Sequence, residues 1–420
     1  MRPALLDTLP GYSAGAFRAD LLAGITVAMV ALPLSLAIAI ASGAAPATGL
    51  VTAVVAGGLI SLLGGSRVQI GGPTGAFIVV VHGVIATHGF DGLVLATLMA
   101  GGILIVAGVS KAGSLIRFVP EPVINGFTLG IAVIIATSQL KDLFGLQVEG
   151  SPAGLPEILP ALWAARASLT PAALGIGLAT MAAIIVLRRA FPRFPGLIVA
   201  VGATSGAAVL LGLPVESIAD RFGALPDRLP LPALPGVTLA RLAELLPSAL
   251  TIAFLAGIES LLSAVVADRM TGQTHRPNAE ITATGVANVA SSLVGGLPAT
   301  GAIARTATNI RAGGTTPVAG LVHAVGVLGM MLLAAPLAGA LALPALAGLL
   351  ILTAWNMSEP HKWRDWAAAG RADRVLLLLT MALTVLVDLT VAIGVGVALG
   401  LALRQRRTDA PPPPWRPRRR

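Results

Sequence analysis

Apolar stretches of ten to twenty-odd residues recur from one end of this chain to the other, separated by short runs rich in Gly, Pro and Arg. They fall at about 21–41, 47–64, 74–88, 92–110, 122–140, 171–187, 196–213, 246–267, 279–296, 302–311, 317–335, 341–356, 374–388 and 390–404. A helix crossing the ~30 Å hydrocarbon core needs about 20 predominantly apolar residues. Fourteen such helices take about 280 residues, which the 420 present can supply. Only 11% of the residues are charged, where a soluble domain carries roughly 25%. That is too little to cover a water-facing surface, so a soluble enzyme and a disordered chain are both excluded. Aromatic residues make up 4%, too few for the aromatic girdles of a membrane β-barrel. The expected fold is therefore all-α and multi-pass, with fourteen transmembrane segments in the lipid bilayer.

The net charge of +9 does not point to nucleic acid, because of where the charge sits. Seven of the 28 basic residues (Arg404, Arg406, Arg407, Arg416, Arg418, Arg419 and Arg420) crowd the last 17 positions. Most of the others sit at the ends of apolar segments, as the positive-inside rule requires. With an inner N-terminus, the inner loops hold Arg67, Lys111, Arg117, Arg188, Arg189, Arg193, Arg269, Arg276, Arg311, Lys362, Arg364, Arg371 and Arg374. The outer loops hold Asp142, Glu149, Glu157, Glu216, Asp220, Asp227 and Glu244 against Arg166, Arg221, Arg228 and Arg241. Both termini are then cytoplasmic, in an inner (plasma) membrane. Residues 1–20 have no continuous apolar core, so no cleavable leader is expected. Absent cysteine excludes disulfides and thiolate metal sites.

Two of the segments, 74–88 and 302–311, are too short to cross a bilayer at 1.5 Å per residue. Each follows a Gly/Pro-rich run, Gly71-Gly72-Pro73 and Gly295-Gly296-Leu297-Pro298, and reads as a half helix preceded by extended backbone. The two are related. Residues 46–65 align with 277–296, with seven of 20 positions identical, and Thr74-Gly75-Ala76 recurs as Thr300-Gly301-Ala302. The expected organisation is a cytoplasmic N-terminus (1–20), a first seven-segment repeat (21–213), an extracytoplasmic linker (214–244), a second repeat (245–404) and a basic Pro-rich cytoplasmic tail (405–420). Seven is odd, so the second repeat enters the membrane from the opposite side. Paired interrupted segments in such an inverted repeat are the strongest sequence pointer to a transporter's substrate site.

Ionisable residues inside the bilayer cost roughly 2.5–3.5 kcal/mol or more at a helix centre, so the few present are the candidates for chemistry. Glu259 lies midway along the eighth segment, and Ser263 is four residues on, facing the same way. A carboxylate and a hydroxyl on one face can ligate Na⁺ with nearby backbone carbonyls, or the carboxyl can carry a proton. Arg305 falls about one turn into the short tenth segment. Beside a helix N-terminus, with its free N–H groups and partial positive charge, it makes an anion site. The other half helix starts near Thr74, so two N-termini facing each other attract an anion. Asp268 reads as an inner-surface group, solvated or capping, Arg311 as reaching the inner interface by snorkelling, and the lone histidines His82, His88 and His323 as structural. No residue grouping supports catalysis, a metal cluster or a cofactor.

The runs GIESLLSAVVADRMTG (257–272), GGLPATGAIARTATNIRAGGTTPVAGLVHA (295–324), ALPLSLAIAIASG (31–43) and RVQIGGPTGAF (67–77) closely resemble the sulfate permease family of anion transporters. The likeness covers roughly residues 15–405. It implies a 7+7 inverted repeat with core and gate domains, and an anion held between the facing starts of the third and tenth helices. Carried over by motif, Thr74 and Gly75 contact the anion from the third helix, and Gly301, Ala302 and Ile303 from the tenth, with Arg305 as the neighbouring basic residue. The coupling-ion set is Glu259 and Ser263 with Gly301 and Ile303. The resemblance departs in two places. Family members usually continue into a cytoplasmic STAS domain, which is not expected after Arg420, and 21–41 lacks the acid that some proton-coupled members carry. The sequence thus predicts a cation-coupled symporter of a small inorganic anion of the sulfate or bicarbonate class, assembled as a homodimer. The rival readings are a nucleobase permease of the same architecture, an uncoupled anion channel or exchanger, and a non-transporting scaffold.

Overall fold

A computed structural model describes residues 2–111, 120–148, 155–191, 195–226, 228–387 and 389–406. The inner-loop residues Arg117 and Arg193, the outer-loop residues Glu149 and Asp227, and the tail from Arg407 lie outside the described residues. The chain is mostly helical, at 77%. A short α1 (Leu5–Thr8) precedes α2 (Ala14–Ala41), α3 (Pro46–Leu63), α4 (Ile78–Val109) and α5 (Glu121–Ser138). Next come α6 (Leu140–Phe144), α7 (Leu155–Ala164), α8 (Pro171–Ala190), α9 (Gly196–Leu210) and α10 (Ile218–Phe222). The second half holds α11 (Leu239–Thr271), α12 (Pro277–Leu293), α13 (Ile303–Arg311), α14 (Val318–Leu333) and α15 (Ala335–Gly339). It ends with α16 (Leu343–Met357), α17 (Trp363–Ala368), α18 (Arg371–Leu386) and α19 (Leu389–Arg406). Among the described residues, six helices, counting the 3-10 turn before α4 and α6 after α5 with their neighbours, are long and apolar enough to cross a membrane.

Every apolar stretch carries a helix, with shifted ends that have local causes. The first helix starts at Ala14, not near 21, because the Ser13 hydroxyl accepts the Ala16 N–H and caps it. The eighth starts at Leu239, not 246, because Thr238 caps it the same way and Pro247 is tolerated inside. Segments 74–88 and 92–110 merge into α4, broken only at Gly89, whose φ of 69° lies in the left-handed region. Prolines stand at the first turns of α3, α8 and α12, where the missing N–H costs nothing.

Two bundles result. In one, α2, α3, α4, α11, α12, α13 and α14 pack together; in the other, α5, α8, α9, α16, α18 and α19 do. In lipid, helices associate by close packing of small residues. The crossing of α4 and α12 shows this: a Cβ on Gly101 would lie 2.8 Å from the Gly285 carbonyl oxygen, and one on Gly285 2.8 Å from that of Gly101.

Buried carboxylates close the ends of the first bundle. Asp20 is fully buried and accepts the Thr315 and Thr316 N–H groups at 2.7 and 3.1 Å, capping the approach to α14. Tyr12, ahead of α2, donates to Asp20 at 2.9 Å. Burial and that bond push the Tyr12 phenol up to about 12. Glu280, on α12, accepts from Gly65 and Ser66 at 2.7 and 3.0 Å. The return favour comes from α3, where Thr52 accepts the Leu297 N–H at 2.7 Å. Each of these two helices therefore holds the loop that leaves the other. Ion pairs also join the loops: Arg276 pairs with Asp7, Arg241 with Asp91 and His88 with Glu244.

Candidate anion and cation site

The extended runs before α4 and α13 meet, although only α13 is short: the expected half helix at 74–88 runs on past Gly89 into the rest of α4. Strands β1 (Gly71–Gly72) and β2 (Thr300–Gly301) pair antiparallel, Gly71 opposite Gly301 and Gly72 opposite Thr300. The Ala302 N–H donates to the Ile70 carbonyl at 2.8 Å, continuing the pairing. This non-helical backbone is buried within the protein, where its polar groups are shielded from lipid. Immediately beyond, Thr74 caps a 3-10 turn (Gly75–Phe77) that runs into α4, and Ala302 is the N-cap of α13. Gly301 thus lies in the strand, and the tenth-segment helix begins two residues later, at Ile303. The first amides of both helices have no partner within their own helix. Ile303 is 43% exposed, Ala304 is exposed and Thr74 is half-buried, so the facing helix starts border open space.

Around this crossing, α11 supplies the acid. The Thr74 hydroxyl donates to Glu259 Oε2 at 2.8 Å, tying the first half helix to the eighth segment. Ser263 is fully buried and bonds the Thr306 hydroxyl at 3.2 Å; Thr306 in turn accepts the Ile70 N–H at 3.0 Å. Glu259 and Ser263 share a face of α11, as their spacing predicts, yet hold different partners. The Thr300 hydroxyl donates to the Ala256 carbonyl at 2.8 Å. Gln69 reaches Ser260 through Nε2, at 3.1 Å from its hydroxyl and 3.3 Å from its carbonyl. Glu259 with Thr74, and Ser263 with Thr306, are two separate oxygen pairs along one face of α11; oxygen donors of this kind suit a hard cation.

Arg305 is 1% exposed and does not pair with Glu259. It turns into the bundle, where Nη2 donates to Ser35 on α2 at 2.9 Å. Its Nε and Nη1 have no partner. Gly72, with φ of 146°, must be glycine here: a Cβ would lie 2.2 Å from Arg305 Nη1. The guanidinium therefore acts on the helix starts from behind the strand pair, through low-dielectric protein, where a charge reaches furthest.

Of the two readings of Asp268, capping fits: it is 4% exposed and accepts the backbone N–H of His275, beyond the end of α11, at 3.2 Å, with His275 Nδ1 2.7 Å from the same oxygen. Arg311 is exposed. Ser35, Thr306, Gln69 and Glu280 were not legible as functional or structural anchors, since lone hydroxyls and amides are common in apolar helices. One signal existed for Thr306: it lies one turn past Ala302 on the half helix already singled out. Two open clefts, one of about 400 Å³ lined by Glu121, Asn125, Asp365 and Arg374, and one of about 170 Å³ beside Asp142 and Arg221, lie apart from this crossing.

Residues 17–380 match the model of the sulfate permease family. A Bacillus subtilis (strain 168) protein named for sulfate transport, YvdB, is 43% identical over 380 residues, which is 89% of this chain and 71% of that one. The bicarbonate transporter BicA of Picosynechococcus sp. is 32% identical over 369 residues, 85% of this chain and 64% of that one. The chain thus spans about two thirds of the length of these relatives. Among solved structures, the transmembrane domain of a cyanobacterial BicA superposes with a TM-score of 0.80 at 30% identity, covering 93% of this chain and 97% of that one. A murine Slc26a9 anion transporter in the inward-facing state shares the fold, with a TM-score of 0.87 at 17% identity over 97% of this chain and 72% of that one.

Proposed function

The chain belongs to the sulfate permease family, and on that premise we propose that it is a secondary transporter of a small inorganic anion. The substrate is of the sulfate or bicarbonate class, the two named among its relatives. One observation carries the reading: β1 and β2 pair and bring the starts of two helices to one place, with a buried arginine behind them and a half-buried glutamate beside them. Thr74, Gly75 and Ile303 offer the anion backbone N–H groups, and Ala302, whose own N–H is held by Ile70, lines the site between them. Gly301 fixes the approach, and Arg305 supplies long-range charge. Glu259 and Ser263, with Thr306 and the carbonyls of Gly301 and Ile303, host the coupling Na⁺ or proton.

The architecture we propose is a 7+7 inverted repeat of fourteen segments. Its domains are those expected from the sequence: 1–20, 21–213, 214–244, 245–404 and 405–420. What supports it is the ordered recurrence of 46–65 and 74–76 at 277–296 and 300–302, and the reciprocal loop contacts of α3 and α12. The bundle of α2–α4 and α11–α14 is the core, and the other the gate. Alternating access follows from rocking one against the other. Both termini are cytoplasmic, in the inner membrane, and two copies form a dimer. A nucleobase permease is disfavoured by the buried cation behind the helix starts, which has no role with a neutral ring. Uptake of labelled sulfate and bicarbonate into proteoliposomes, with and without a Na⁺ or proton gradient, tests the proposal. Concentrative, gradient-dependent uptake of one of these anions is expected. Uptake of uracil instead, or uptake that follows voltage alone, would replace it with one of the rival readings.

A further inference from the structure

Two arginines, one from each bundle, meet at the inner end of the protein. Arg311 is the last residue of α13, in the first bundle, and Arg188 lies in the last turn of α8, in the second. Each sits at the carbonyl end of its own helix, where a cation is favoured. Helix α2 packs against both α13 and α9, and α9 against α8, so the four adjoin. The two guanidinium groups are close enough to repel each other. Both residues are exposed, and among the described residues neither side chain has an ion-pair or hydrogen-bond partner. Arg2, Arg221, Arg241 and Arg276, by contrast, each pair with a carboxylate. No acid is free to do the same here: Asp7, Asp20, Asp268 and Glu280, at the inner end of the first bundle, are held by other partners.

An open face joins this pair to the helix starts. On α13, Ile303, Ala304 and Arg311 are exposed, and Ala307 and Thr308 half-buried. Positions 304, 308 and 311 follow one another along one side of the helix. Eight steps of 1.5 Å place Arg311 about 12 Å from Ile303. α13 carries no acidic residue along that distance, and Arg305 turns away into the bundle. An anion held at Arg188 and Arg311 is therefore one short helix from the site proposed above, with no carboxylate of α13 to repel it.

We propose that Arg188 and Arg311 form a second anion subsite at the inner mouth, where one oxyanion of the substrate class is held between the two bundles on its way between solution and the helix starts. Each guanidinium presents donors that fit an oxyanion, and the anion relieves the repulsion between them. This rests on the anion-transport reading and adds a waiting position to it. The test uses the whole chain in phosphatidylcholine vesicles, with and without phosphatidylglycerol, and follows exchange of labelled for unlabelled sulfate and bicarbonate. The double variant Arg188→Gln/Arg311→Gln removes the charge, Arg188→Lys/Arg311→Lys keeps it, and Arg189→Gln removes a neighbouring charge. Tm over an anion titration reports binding. In the double Gln variant, KM for the transported anion should rise about tenfold with the maximal rate kept, the low end of what a charged mouth contributes, and should lose most of its dependence on ionic strength. The double Lys variant should keep that dependence, and Arg189→Gln the original KM. An unchanged KM in the double Gln variant, with anion still raising Tm, overturns the subsite and leaves the transport reading standing. A rise in KM confined to vesicles with phosphatidylglycerol assigns the pair to a lipid phosphate and also overturns it. Exchange of neither anion by the unaltered protein overturns the transport reading and the subsite together.

Discussion

Replacing Arg305 with methionine should weaken anion binding by about 100-fold while leaving the protein as stable as before, or more so. The guanidinium is buried, and two of its three nitrogens are unpartnered, so its presence costs desolvation that one bond to Ser35 does not repay. Methionine fills the volume without the charge. What is lost is the field at the helix starts. Two unit charges about 6 Å apart, at an effective dielectric constant near 20, interact by about 3 kcal/mol, which is about two decades of affinity. Binding measured by thermal shift over an anion titration, with Tm of the empty protein as control, separates the two effects. A variant that loses Tm but keeps its affinity would make Arg305 a structural residue.

The second large effect is at Glu259. Glu259→Gln keeps an oxygen to accept the Thr74 hydroxyl, now 2.8 Å away, and removes only the charge. Local structure should hold. Cation-driven accumulation in proteoliposomes should fall at least tenfold, to the level set by equilibration, while exchange of labelled for unlabelled anion continues. Undiminished accumulation would assign the carboxylate a purely structural role and place the coupling ion elsewhere. Loss of exchange together with accumulation would show that Thr74 and Glu259 serve the anion jointly.

These expectations draw unequally on sequence and structure. Helix positions were legible because apolar length is set by the bilayer, and each stretch carries its helix. Their starts were less legible, since a single capping Ser13 or Thr238 moves a boundary by seven residues. The meeting of residues 71–72 with 300–301 could be argued from the repeat alone. The partners could not. Thr74 and Glu259 were assigned to different ions, and only tertiary packing brings them into contact. Asp20 and Glu280 stood near segment ends, where acids are usually solvated; both instead cap loops from inside.

The central claim is that an anion sits against the exposed start of α13. The chain has no cysteine, so Ile303→Cys introduces a single thiol at a 43% exposed position. The rate at which a small maleimide labels it reports on that spot alone. Sulfate or bicarbonate, whichever is transported, should slow labelling at least tenfold, with a half-maximal concentration equal to that for uptake. A rate unchanged at saturating anion would place the substrate elsewhere.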